Sequence, residues 1–72
     1  MDTAKLARAR RLTSNGAARS IRQASQLSLP EVAAEVGVAV STIWRWENGQ
    51  RQPRGEPAER YSDLLDRLMR GS

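Results

Sequence analysis

The chemistry this chain can offer is that of arginine. Eleven of its 12 basic residues are arginine, and the twelfth is Lys5. A planar guanidinium presents a fork of donors that fits a phosphate, or the edge of a guanine, with two bonds at once. The usual catalytic and metal-binding groups are missing. Histidine and cysteine are absent, which removes the common zinc ligands and any disulfide. No glycine loop suited to cradling a phosphate occurs, and Asp63 and Asp66 fall on the polar face of a helix-like segment. An enzyme, a cofactor, a metal site and a small-molecule ligand are therefore not expected.

Arginine richness also follows from a GC-rich genome, so placement says more than number. Residues 1–28 hold six basic side chains against Asp2 alone, a balance of +5. Residues 29–48 hold Glu31, Glu35 and Glu47 against Arg45, and residues 49–72 hold five arginines against four acids. Charge free to face a polyanion is thus expected on Lys5, Arg8, Arg10 and Arg11, and on Arg51 and Arg54.

The elements that must position these charges centre on residues 28–48. Ser28 and Glu31 have the spacing of a reciprocal capping box, and Pro30 sits in the first turn, where its missing N–H costs nothing. Val32, Ala33 and Val36 fall on one helical face. Gly37 then ends the helix in a left-handed conformation that is cheap only for glycine. After three linking residues the apolar pattern resumes with Ile43 and Trp46, and it stops at Asn48-Gly49. Two short helices joined through a glycine turn describe a helix-turn-helix. Trp44 and Trp46 are two apart and point about 200° from one another on a helix. Trp46 shares a face with Ile43 and is expected in the core. Ser41, Arg45 and Asn48 then form the exposed face, with Trp44 at its edge.

In these residues the chain resembles the lambda-repressor and Cro-like helix-turn-helix proteins, the XRE family, over roughly residues 17–68. The resemblance rests on Ala33, Gly37, the apolar Val32, Val36, Val38, Ile43 and Trp46, and on W-R-W-E-N-G followed by Q-R-Q-P-R-G. It implies an all-α fold, a compact four- to five-helix lambda-repressor-like domain whose second motif helix enters the DNA major groove. The family's base-contacting places fall on Ala39, Val40, Ser41 and Arg45. Arg45 suits a guanine and Ser41 a polar base edge, whereas Ala39 and Val40 offer only apolar contact, as to a thymine methyl. Thr42 and Trp44 are further candidates for contact with DNA or a partner. Ser28, Arg19, Asn48, Arg51, Arg54, Lys5, Arg8, Arg10 and Arg11 are candidates for phosphate. Arg22 and Glu47 stand where some relatives form an ion pair. Two departures are visible. Ala39 stands where relatives often carry a capping Ser or Thr, leaving the cap to Ser41 or water. Leu29 stands where many carry a glutamine that clamps a phosphate.

Elsewhere the pattern predicts a short basic helix over residues 2–12, a break at 13–16, a helix over 17–26 burying Ala17 or Ala18, Ile21 and Ala24, and a last helix over 56–69. Residues 1–14 read as a basic N-terminal segment lying against the first core helix and bringing its charges to the DNA backbone. Residues 15–70 read as the DNA-binding domain and 71–72 as a tail. No apolar run approaches the ~20 residues needed to span a bilayer, and no signal peptide is visible. The expected place is the cytoplasm of a bacterium or a phage-infected host cell. The function implied is a transcriptional regulator of the Cro or repressor type, from a phage or prophage, acting by operator occupancy on double-stranded DNA and able to pair as a homodimer there. The rivals are the antitoxin of a toxin–antitoxin pair and a protein-interaction adaptor on the same fold, which the acidic stretch 30–36 and Trp44 would serve.

Overall fold

The computed structural model describes residues 2–71. Its helices are α1 (Thr3–Ser14), α2 (Ala17–Ala24), α3 (Leu29–Val36), α4 (Val40–Glu47) and α5 (Gly55–Arg70), with no strand among the described residues. Of the expected tail, Gly71 closes α5, its N–H bonding to the Arg67 carbonyl. Ser72, like Met1 of the N-terminal segment, lies outside the described residues.

Local chemistry sets the helix ends. The Asp2 carboxylate accepts from the N–H groups of Ala4 and Lys5 and so starts α1. The break expected at 13–16 shrinks to Asn15 and Gly16. Thr13 and Ser14 stay helical, Thr13 buried against the core, with their hydroxyls donating to carbonyls of the preceding turn, Thr13 to Ala9 and Ser14 to Arg11. Asn15 Oδ1 then accepts from Ala17 N, across Gly16 at φ +82°. α2 ends earlier than the pattern predicts, since Gln26 adopts φ +58° and Leu27 N–H returns to the Arg22 carbonyl. Two residues expected in the core are corrected: Ala24 is exposed and Ile21 only partly buried, leaving Ala18 as the buried residue of α2.

α5 is the spine of the packing. α1, α2 and α3 all lie against it, α4 packs on α3, and α1 also touches α2 and α4. The core joins Ala9 and Leu12 of α1, Ala18 of α2, Val32, Ala33 and Val36 of α3, Ile43 and Trp46 of α4, and Ala58, Tyr61, Leu64 and Leu65 of α5. α1 lies against α2, the first core helix, as expected, and more extensively along α5, which the sequence did not indicate. Its partners step forward together on both helices: Asp2 N to Glu59, Lys5 to Asp63, Arg8 to Asp66.

At the centre, the Trp46 and Tyr61 rings meet at 5.1 Å with a 42° tilt, a separation within the favourable range for aromatic pairs. Tyr61 is fully buried, yet its hydroxyl has no hydrogen-bond partner. Burial, reinforced by the nearby Glu47 carboxylate and opposed by Arg22, pushes this hydroxyl well above the usual phenol range.

Two outcomes follow from that orphan group. Tyr61→Phe should leave urea stability unchanged or raise it, because an unsatisfied buried hydroxyl costs about 1–3 kcal/mol; a clear loss would mean the hydroxyl is bonded. The chain has one tyrosine, so phenolate absorbance reports Tyr61 alone. The raised value means that stability is intact below the ordinary phenol pKa of about 10 and falls as pH rises through it. The folded protein should show no phenolate where the urea-unfolded chain ionises.

Candidate nucleic-acid interface

α3 begins as the sequence dictates. Ser28 Oγ accepts from Glu31 N at 3.2 Å, and Glu31 Oε1 accepts from Ser28 N at 2.9 Å. These bonds hold the Glu31 carboxyl below its ordinary range. α3 ends at Gly37, φ +84°, where the N–H groups of Gly37 and Val38 both bond to the Ala33 carbonyl. Arg60 of α5 reaches across to the same place, its Nε donating to the Val36 carbonyl at 2.7 Å. A lone carbonyl at a helix end is thereby satisfied from another element, and the turn is fastened to the spine.

α4 starts without a side-chain cap. Ala39 has no side-chain oxygen, and of the two expected caps, Ser41 or water, the Ser41 side chain does not supply one; the Thr42 N–H bonds to the Ala39 carbonyl there. The other end is held twice. Asn48 Nδ2 donates to the Trp44 carbonyl at 2.8 Å. Glu47 meets Arg22 through two bonds, Nε to Oε2 at 2.6 Å and Nη2 to Oε1 at 3.0 Å. The remaining arm of Arg22 donates to the Leu27 carbonyl at 2.9 Å. The two side chains are 13% and 3% exposed. The Glu47 hydrogen bond raises the Arg22 pKa further above its already high ordinary value. One guanidinium therefore ties α2, the α2–α3 connection and the end of α4 together.

With both ends fixed, the faces of α4 separate. Ile43 and Trp46 are buried; Ala39, Val40, Ser41, Trp44, Arg45 and Asn48 are exposed; Thr42 is half-buried. A groove of about 280 Å³ runs beside this helix, lined by Val38, Thr42, Arg45, Trp46, Arg51, Gln52, Arg54 and Pro57. It collects three arginines and no acid. Gln52 escaped the sequence reading, although it stands between Arg51 and Arg54. Arg60 also escaped it, and no local pattern marks it, since its partner Val36 lies 24 residues away.

The basic residues divide into two sets. Lys5, Arg8, Arg22, Arg60, Arg67 and Arg70 each pair with an acid. Arg10 Nε donates to the Pro53 carbonyl at 3.0 Å. Among the described residues, the side chains of Arg11, Arg19, Arg45, Arg51 and Arg54 have no such partner. Several basic residues of 1–14 thus also serve the fold. Lys5 and Arg8 fasten α1 to α5, at 2.9 Å to Asp63 and 2.7 Å to Asp66, and Arg10 fastens it to the loop before α5. Arg11 alone of the four stands free.

A family profile described as a helix-turn-helix domain matches residues 4–70. The chain belongs to this family. It is a Cro/XRE-like helix-turn-helix domain with the all-α lambda-repressor-like fold, and the match includes α1, whose Ala9 and Leu12 share the common core. A DNA-binding regulator is the function the family suggests. No curated protein and no solved structure matches the chain. No helix among the described residues is long and apolar enough to cross a membrane.

Two substitution sets test the frame. Arg22→Ala or Glu47→Ala should each cost about 3–5 kcal/mol by stranding a buried charge, a large part of the stability of so small a domain. The double change to apolar residues should recover much of that loss. Wild-type urea midpoints for the single variants would contradict the pairing. Gly37→Val should cost on the order of 1–3 kcal/mol from its positive φ. An added β-carbon itself meets Arg60 only at ordinary van der Waals distance, 3.5 Å.

Proposed function

We propose that the protein is a sequence-specific, DNA-binding transcriptional regulator of the Cro or repressor type, from a phage or prophage, that acts by occupying an operator. The observation that carries this reading is the division of charge. The arginines without a protein partner include the three that line the groove beside α4, and no acid interrupts them. A surface of that kind matches a polyanion whose affinity comes from phosphate neutralisation.

In this reading α4 lies in the major groove. Arg45 reaches a guanine edge with two bonds, Ser41 offers a hydroxyl that no protein group claims, and Ala39, Val40 and Thr42 complete the base-facing surface. Arg51 and Arg54 hold the backbone beside the groove, with Arg19 and Arg11 as further phosphate donors. Ser28, a further phosphate candidate, stands exposed at the start of α3 with its hydroxyl engaged by Glu31. Asn48 keeps its carbonyl oxygen, its amide being held by Trp44. Binding as two copies on a palindromic site fits the family geometry, with half-sites about one helical turn apart.

The rival reading as an adaptor would rest on the acids of α3, of which one is paired. Glu31 is held by Ser28, and Glu35 meets Arg67 at 3.1 Å. The antitoxin reading shares the same DNA surface and differs in having a toxin gene beside it.

Selection of bound sequences from a random DNA pool, together with the hydrodynamic mass of the complex, tests the proposal. A defined, palindromic motif bound by two chains is expected; a pool that stays random would refute sequence-specific binding. On the selected site, Arg45→Ala should cost about 1–3 kcal/mol and relax preference at one base. Arg51→Ala and Arg54→Ala should each flatten the salt dependence by roughly 0.9 in log–log slope and leave the preference intact. Lys5→Gln and Arg8→Gln, which break exposed ion pairs, should change stability little and leave that slope as it is.

A further inference from the structure

The loop that leaves α4 carries Arg51 and Arg54, two of the three arginines of the groove. Its first half is held by the helix itself, since the N–H groups of Gln50 and Arg51 both bond to the Arg45 carbonyl. Its second half, residues 52–54, has no such support, and α5 starts after it without a side-chain cap. Two features hold this half in place. The Pro53 ring is fully buried. The Pro53 carbonyl accepts a 3.0 Å hydrogen bond from Arg10 Nε, which comes from 43 residues away on α1. Among the described residues, no other hydrogen bond reaches the backbone of residues 52–54.

The donor stands on a fixed base. Ala9 and Leu12, on either side of Arg10, are buried in the core, and Lys5 and Arg8 join the same helix to Asp63 and Asp66 of α5. A bond from a fixed helix to a loop removes freedom that the loop would otherwise lose on meeting a ligand. Affinity then rises without an added contact. Pro53 precedes Arg54 and lies two residues after Arg51, so the held carbonyl sets where both side chains begin. We infer that Arg10 is a positioning residue of the DNA surface. Through the Pro53 carbonyl it holds the loop of Arg51 and Arg54 ready for the phosphate backbone, and it does not itself bind phosphate. α1 thereby contributes to DNA affinity from outside the helix-turn-helix. This inference rests on the DNA-binding reading above.

Two substitutions separate positioning from a phosphate contact. In Arg10→Gln the amide nitrogen stands as many bonds from the backbone as the arginine Nε, so the donor stays and the charge goes. In Arg10→Met a methyl group takes that place, and both are lost. Binding is measured per folded molecule on the duplex that the wild-type protein selects. Arg10→Met should bind roughly ten-fold more weakly, the factor for ordering about one residue of backbone, and should keep the log–log salt slope. Arg10→Gln should keep both the affinity and the slope of the wild type. Backbone amide relaxation of the free proteins gives a second readout. The Gln52 and Arg54 amides should gain fast motion in Arg10→Met and not in Arg10→Gln. A phosphate contact would instead cost both variants about 0.9 in slope, and that result would overturn the inference. Equal affinity in all three proteins, or unchanged loop amides in Arg10→Met, would also overturn it and leave DNA binding by the wild type standing. A wild-type protein that selects no DNA would overturn both readings.

Discussion

Glu47, the last residue of α4, carries a carboxylate whose side chain is only 3% exposed, and a buried charge is tolerable only when fully paired. Arg22 supplies that pairing with two bonds and spends its third arm on the Leu27 carbonyl. Buried pairs often add little to net stability. The consequence here is geometric. The exit of α4 is fixed to α2 and to the entry of α3, while Arg60 fixes the turn before it. α4 is eight residues long and lacks a side-chain cap at its start, so an isolated helix of its length would not persist. Its direction is set by these clamps and by Ile43 and Trp46 in the core.

Once α4 is fixed, the use of charge over the rest of the molecule becomes intelligible. A net +4 is an average over two populations. One holds the helices together, with Lys5 and Arg8 on α5, Arg67 joining α5 to α3, and Arg10 bonded to the loop at Pro53. The other has no internal partner and includes all three arginines of the groove beside α4. Exposed ion pairs contribute little each, so the first population matters more for where it removes charge than for energy. Among the described residues it leaves five arginines without an internal partner, three of them beside α4 and on its exit loop and the other two, Arg11 and Arg19, on α1 and α2.

The motif itself was legible because its signals are local. The capping box at Ser28 and Glu31, the positive φ at Gly37 and the apolar spacing through Trp46 each need only a few neighbouring residues, and all appear as read. Long-range features were not legible. The contact between Arg60 and Val36, and the docking of α1 along α5, join residues that no periodicity links. Helix boundaries slipped where polar side chains chose an unexpected partner. Thr13 and Ser14 bonded back into α1 instead of ending it, and Gln26 took the left-handed turn that stopped α2 short. Composition could not tell free arginines from engaged ones, because that depends on which acids the fold brings within reach.

The central claim is that the exposed face of α4, with its flanking loop, is the surface that meets DNA. The most direct measurement is an amide and side-chain NMR titration of the labelled protein with the duplex it selects. Shifts should concentrate on Ala39 to Asn48, the Trp44 indole, the Arg45 side chain and residues 51–54, with the α1–α5 contact unmoved. A map centred on the opposite side, around Ile21, Ala24 and Leu68, or spread evenly over all basic residues, would contradict the account.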